Sequence, residues 1–351
     1  MLLLTLCTLV AYADEPGAAN SKDEVRENET FAVQIQHDAP EYPSRALKKG
    51  VEGWVVLRFT IMEDGTTADI EVLAASVEYL FDQAAIDAAS GWTYKPATRD
   101  GKPVPEYNKQ SRIHFYINGF NDTVSRAFQY QYRKAVKAIK GGDFETARSL
   151  IDGMDKSEKR LYSEVCYLDV LNEFYYRAKG DNEAALWYVE RALVVASEVV
   201  SEETYIDLLK EAVIQNAIAK NYQTSLERFA TLQEVDGDLT PDDQIYAFAE
   251  KVRQILNEDR FIVNNGELTV CKKCDKPVPI WWRDLNRNRF SIDQVVGEIR
   301  DIKVTCSNGT VSVDYQPDIV WTVNKNWGAC YVRVYGDEGT TFRLIEHLNG
   351  G

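Results

Sequence analysis

Hydrophobic and polar positions change period several times along the chain. Leu2 to Val10 is an unbroken apolar run, and Ala11-Tyr12-Ala13 behind it has the small-x-small pattern of an export-signal cleavage site. Asp14 to Gln36 is acidic with few residues able to pack, which predicts a flexible lead-in. From Ala39 to Ile117 the periods mix. Gly53 to Met62 is rich in β-branched and aromatic residues and ends on Glu63-Asp64-Gly65, a hairpin turn signal. Thr66 to Ala74 supplies the returning strand, with Ala68, Ile70 and Val72 on one face. Tyr79 to Trp92 takes helical spacing, with Leu80, Ala84, Ala85 and Ala88 in one stripe. Ser111 to Ile117 alternates again, Ile113, Phe115 and Ile117 against Arg112, His114 and Tyr116. With a short opening helix near Ser44 to Lys49, the order predicts a small α+β unit.

From Asp122 to Glu258 the pattern is helical, and its punctuation recurs. Gly141-Gly142-Asp143, Gly180-Asp181-Asn182 and Lys220-Asn221-Tyr222 each precede a similar helix, with Ala147, Ala184 and Ala185 at the expected packing seam. A spacing near forty residues is close to that of helix-pair repeats of the TPR kind. A TPR-like stack of about three pairs is expected, with an irregular bundle as the alternative. Beyond Phe261 the runs IKVTC, TVSVDY, CYVRVY and TTFRLIE lie between Asn-Gly and Gly-Asp turn signals, predicting a compact all-β module.

Composition narrows the function classes. The formal net charge is -15, which disfavours binding to a phosphate backbone, so nucleic acid is not an expected partner. The N-terminal apolar run is shorter than the ~20 residues that span a bilayer, and no basic residue precedes Leu2. Export by a cleaved signal is the expectation, with inner-membrane anchoring the alternative if the start is truncated. The leucine before Cys7 is too bulky for a lipoprotein site. Membrane contact is otherwise expected only through partners.

Tyr42-Pro43 with Ala46, Gly50 and Gly53 around Val51-Glu52, the alternation Val55, Leu57, Phe59, Ile61, the turn at Gly65, and Trp92-x-Tyr94-x-Pro96-Ala97 occur in one order. Together with Asp100-Gly101-Lys102-Pro103 and the closing SRIHFYING, they resemble the C-terminal domain of TonB, which couples the inner membrane to outer-membrane transporters. Each position also has a local reason: Pro43 suits a first helical turn, Gly53 permits close backbone approach, and Trp92 can cover a sheet face. The resemblance covers under a quarter of the chain. It implies that the last strand, Ser111, Arg112, Ile113, His114, Phe115, Tyr116 and Ile117, is an edge to which a transporter segment pairs. Main-chain bonds would give affinity and alternate side chains selectivity, with Arg112, His114 and Tyr116 facing away from the core. A TonB-type transducer also has a membrane anchor and a proline-rich spacer. Asp14 to Gln36 holds one proline, Pro16, and reaches ~80 Å at most, so energy coupling rests on the resemblance alone.

Cys271, Cys274, Cys306 and Cys330 fall in the β module and in an oxidising compartment read as two disulfides. Bridges that join Cys271 and Cys274 to Cys306 and Cys330 are easier to build than a tight 271–274 bridge, and a zinc site is the rival. Cys166 reads as a buried core thiol. His37, His114 and His347 lack metal-ligand spacing, and no nucleophile elbow or phosphate loop occurs, so neither enzyme chemistry, metal nor cofactor is expected. Trp281-Trp282 with Trp321 and Trp327 reads as core packing, with a glycan platform as the alternative. The expected architecture is multidomain: signal segment 1–13, lead-in 14–36, α+β TonB-like domain 37–119, all-α helix-pair array 122–258, and disulfide-linked β module 261–351. The expected function is periplasmic binding of outer-membrane transporter segments by edge-strand pairing. The alternative is a periplasmic scaffold binding an unrelated protein or glycan without energy transduction.

Overall fold

In the computed structural model, which describes residues 13–14, 29–77, 79–120, 122–156, 159–270 and 278–348, the chain enters through short strands β1 (Ala13–Asp14), β2 (Glu29–Thr30) and β3 (Val33–Gln36). Helix α1 (Ser44–Lys49) then leads into the hairpin β4 (Gly53–Ile61) and β5 (Thr67–Ala75). Helix α2 (Asp82–Ser90), strands β6 (Thr93–Lys95), β7 (Ala97–Arg99) and β8 (Lys102–Val104), and the long β9 (Glu106–Phe115) complete the α+β domain. The described strands of its main sheet order as β1-β9-β4-β5, all antiparallel. Val55, Leu57, Phe59 and Ile61 of β4 meet Ile113 and Phe115 of β9, Phe81, Ala85 and Trp92 in one core. Of the expected stripe, Ala85 is fully buried and Leu80 and Ala84 pack partly buried against the core, while Ala89 rather than Ala88 is the second fully buried position of α2.

One expectation for the N-terminal part needs correction. Residues 29–36 are not a free lead-in: β2 pairs with β7 and β3 with β6. The alternation Phe31, Val33, Ile35 is that of a strand, although its side chains stay exposed. Most of the expected signal segment lies outside the described residues, but the backbone of Ala13–Asp14 is paired with β9.

The helical part contains α3 (Arg126–Lys140), α4 (Phe144–Asp155), α5 (Tyr162–Ala178), α6 (Asn182–Leu193), α7 (Ala196–Val199), α8 (Glu202–Ile218), α9 (Tyr222–Val235) and α10 (Gln244–Glu258). The pairs α3/α4, α5/α6 and α8/α9 are closed by one recurring turn. Gly142, Gly180 and Lys220 sit at φ of 75°, 75° and 60°, and the next residue donates its N–H back to Ala138, Tyr176 and Asn216 respectively. That is a left-handed helix stop followed directly by the next N-cap. Asp143 and Asp181 supply the cap with their carboxylates. Four residues on, Ala147, Ala185 and Ser225 are fully buried at the seam. The third unit therefore keeps the geometry while departing in sequence.

The C-terminal module is a two-sheet sandwich of β10 (Phe261–Glu267), β11 (Thr269–Val270), β12 (Pro279–Asp284), β13 (Arg289–Val296), β14 (Ile299–Cys306), β15 (Gly309–Val313), β16 (Trp321–Thr322), β17 (Cys330–Gly336) and β18 (Thr341–His347). The described strands order as β10-β18-β13-β16 and β11-β12-β17-β14-β15. Between the sheets lie Phe290, Ile292, Ile302, Val304, Val332, Val334, Phe342 and Leu344. A disulfide joins Cys306 to Cys330, directly opposed on β14 and β17. That excludes the expected cross-pairing of these two with Cys271 and Cys274, which lie outside the described residues. Cys166 is free and buried. Trp281, Trp321 and Trp327 pack on the module's core, while Trp282 is 55% exposed.

Candidate functional site: the flank of strand β9

The second face of β4 explains how the parts are joined. Its sequence, GWVVLRFTI, alternates core residues with Trp54, Val56, Arg58 and Thr60, and nearly every one of them is buried. A strand buried on both faces needs a layer on each side. Helices α5 to α8 cover one end: Trp54 is fully buried in a cluster with Tyr162, Cys166, Val189 and Ala212. The β module covers the other: the guanidinium of Arg58 lies 4.1 Å from the ring centre of Tyr331, and Arg333 pairs with Glu71 on β5.

Strand β9 is drawn into the same joint. Its inner flank pairs with β4 from Gly53↔Phe115 to Ile61↔Glu106. Ser111, Ile113 and Phe115 are buried, Ile113 and Phe115 in the domain's own core. Arg112, His114 and Tyr116, placed by their alternation on a solvated face, are instead engaged by the helices. Arg112 pairs with Glu198 at 2.5 Å and also donates to the carbonyl of Val194. The Nδ1 of His114 shares hydrogen bonds with Tyr162 Oη at 2.5 Å and Tyr116 Oη at 3.0 Å. Burial, reinforced by Arg112, pushes the His114 imidazole down to about 3, so it is neutral across the physiological range. Burial likewise drives the Tyr162 hydroxyl far above its ordinary value. These side chains are engaged with the helix array.

Glu52, which no motif or periodicity singles out, is the hinge pin of this joint. Its carboxylate accepts the N–H of Ile117 at 2.9 Å and that of Tyr162 at 3.0 Å, so it closes β9 and caps α5 at once. Its own N–H donates to Arg160. On α6, Arg191 pairs with Asp169 and donates to the carbonyls of Ala75 and Ser76. The only sequence signal for this joint is the near-continuous apolar character of β4.

The resemblance positions are fold positions. Tyr42 Oη donates to Val51 at 2.7 Å, Pro43 precedes α1, Ala46 is fully buried, and Gly50 ends α1 at φ 64°. A Cβ on Gly53 would stand 2.1 Å from Ser76 Oγ, and one on Gly65 would stand 2.0 Å from the carbonyl oxygen of Tyr94. Trp92 stacks on His37 and donates to Asp38. Pro96 separates β6 from β7.

What remains of β9 for a partner is its outer main-chain flank. At Arg112 and Ile113 that flank is paired antiparallel with Asp14 and Ala13, and the N–H of Tyr107 donates to Ser307 of the β module at 3.0 Å. The flank is therefore not bare along its whole length.

Residues 38–117 match the family model of the Gram-negative bacterial TonB protein C-terminal. This stretch is similar to the C-terminal domain of TonB proteins. The matching segment is 38% identical over 71 residues to the protein tonB2 of Pseudomonas aeruginosa, covering 20% of this chain and 26% of that protein. It is 35% identical over 77 residues to the TonB protein of the same organism (22% of each chain) and 33% identical over 86 residues to that of Vibrio cholerae (24% and 32%). The match thus spans about a quarter of the length of these curated relatives. Among solved structures, it is similar to the solution structure of the Pseudomonas aeruginosa TonB C-terminal domain, at 30% identity, 26% of this chain, 92% of that one and a TM-score of 0.24.

Among the described residues, no helix is long and apolar enough to cross a membrane. No group of His, Cys, Asp or Glu among them is arranged to hold a metal ion.

Proposed function

We propose that the chain is a periplasmic, non-enzymatic TonB-family protein that binds an extended segment of an outer-membrane transporter by strand addition at the outer flank of β9. The observation that carries this reading is the pairing of Ala13–Asp14 with Ile113 and Arg112: this flank accepts an added antiparallel strand. Recognition is then mainly by main-chain hydrogen bonds, because Arg112 and His114 are spent on the helix array. A partner strand takes the place of Ala13–Asp14.

A second reading, a periplasmic adaptor without energy coupling, is favoured by the way the TPR-like array and the β module are keyed into the TonB-like sheet. A domain locked to two others presents a fixed surface rather than a free-swinging end. The two readings separate in one experiment. Synthetic peptides from transporter N-terminal segments are titrated into the full chain and into a chain beginning at Glu29. Strand addition predicts tighter binding to the shortened chain, since the competing strand is gone. No binding to either chain contradicts it and leaves the adaptor.

A further inference from the structure

The two layers that cover the second face of β4 do so differently. Under the helix array the joint is aromatic and closed, whereas under the β module it leaves a cavity of about 70 Å³. The cavity is lined by β4, β5 and β9 on one side and β14, β15 and β17 on the other. Both β5 and β9 are irregular beside it: Asp69 and Asn108 take φ of 50° and 58°, where the registers with β4 slip. Bulges of this kind commonly re-aim side chains next to sites.

Several polar groups at this cavity are unmatched among the described residues. Arg58 is only 7% exposed, yet its guanidinium makes no hydrogen bond or ion pair among the described residues, and its Nε is buried without a partner. Stacking on Tyr331 occupies one face of the guanidinium and leaves its in-plane donors unused. Asn108 Oδ1 is buried without a partner as well. Lys303 adds a second cation with no ion pair among the described residues, while Arg333 is matched by Glu71. Behind Arg58 lies Asp284, whose carboxyl burial pushes up against the pull of Arg58 and Arg283.

We propose that this cavity is a binding site for a small monovalent carboxylate, either free or carried by an acidic peptide. Of the three cations in the lining, Arg58 and Lys303 have no ion pair among the described residues while Arg333 is matched by Glu71, so an anionic group in the cavity meets two cations with donors to spare. The planar fork of Arg58 suits two parallel bonds to carboxylate oxygens. The hydroxyls of Thr305 and Thr310, 3.2 Å apart, offer further donors. The volume admits an acetate-sized group with a water, since one water needs about 10–15 Å³ on this measure.

The test uses the full-length protein at constant ionic strength, with thermal stability and calorimetry read against sodium acetate, sodium chloride and inorganic phosphate. Saturable binding of acetate is expected, at least about tenfold tighter than chloride or phosphate. Removing a charged hydrogen-bonding group should weaken it about tenfold or more in Arg58→Met and severalfold in Lys303→Met. The half-buried Lys303 keeps the test informative if Arg58→Met does not fold. Competition by an acidic peptide, but not by its neutral amide, assigns the site to peptide carboxylates; acetate binding without such competition assigns it to free ones. Equal responses to the three anions, or acetate binding unchanged in Lys303→Met, would overturn the proposal.

Discussion

At the scale of single residues, Glu52 ties the α+β domain to the helix array. It is 8% exposed, and its carboxylate holds two backbone amides from different elements. Glu52→Ala leaves both N–H groups buried without an acceptor, which should cost about 2–4 kcal/mol. Glu52→Gln, with one carbonyl oxygen retained, should cost less. Denaturant unfolding with an unchanged slope checks the ranking. His114 sets a pH dependence of definite sign. Its folded value is about 3 against an ordinary 6.5, so the contribution is fully present above pH 6.5. It is lost on acidification toward pH 3, because the unfolded chain takes up a proton that the folded one refuses. Relative to His114→Phe, the wild type should lose about 1.4 kcal/mol per pH unit between roughly pH 6 and 4. Asp169 acts in the opposite sense: burial pushes it up to about 6 despite its Arg191 partner, so its contribution is lost as pH rises. The difference between wild type and His114→Phe isolates the histidine from that background.

Among the elements, the turns of the helix pairs give the sharpest prediction. Lys220 holds the left-handed position that Gly142 and Gly180 hold in the other two units, at a cost of roughly 1–2 kcal/mol for a side-chain-bearing residue. The β module helps to retain it, since Lys220 Nζ donates to Val263 and its carbonyl accepts from Asn286. Lys220→Ala loses the Nζ bond and keeps the strain, while Lys220→Gly loses the bond and relieves the strain. The glycine variant should be the more stable of the two by about 1 kcal/mol, as thermal unfolding of the pair will show. Gly180→Ala should cost about 1 kcal/mol for the same backbone reason, with no neighbouring atom in the way.

These elements also show what a sequence can reveal. The hairpin at Asp64-Gly65, the short helix from Ser44 and the repeated helix pairs are legible because turn chemistry and periodicity are local. The covering of β4's second face is not, since Trp54, Val56, Arg58 and Thr60 read equally well as one face of a half-buried strand. Only knowledge of what packs on them distinguishes the cases. For the same reason, the alternation of Arg112, His114 and Tyr116 suggests a free face where the fold has a joint. The strand at Val33–Gln36 carries a short alternation, Phe31, Val33, Ile35, that the acidic segment before it outweighs.

On the scale of the whole molecule, a TonB-type sheet is clasped between its own helices on one side and the helix array and β sandwich on the other. In the proposed function a partner attaches along the main-chain flank of β9. Amide hydrogen exchange across the full chain, with and without a saturating transporter N-terminal peptide, tests that claim most directly. The account predicts added protection confined to the outward amides of β9 around Arg112 and Ile113. Protection appearing on helices α3 to α10, with β9 unchanged, would contradict it.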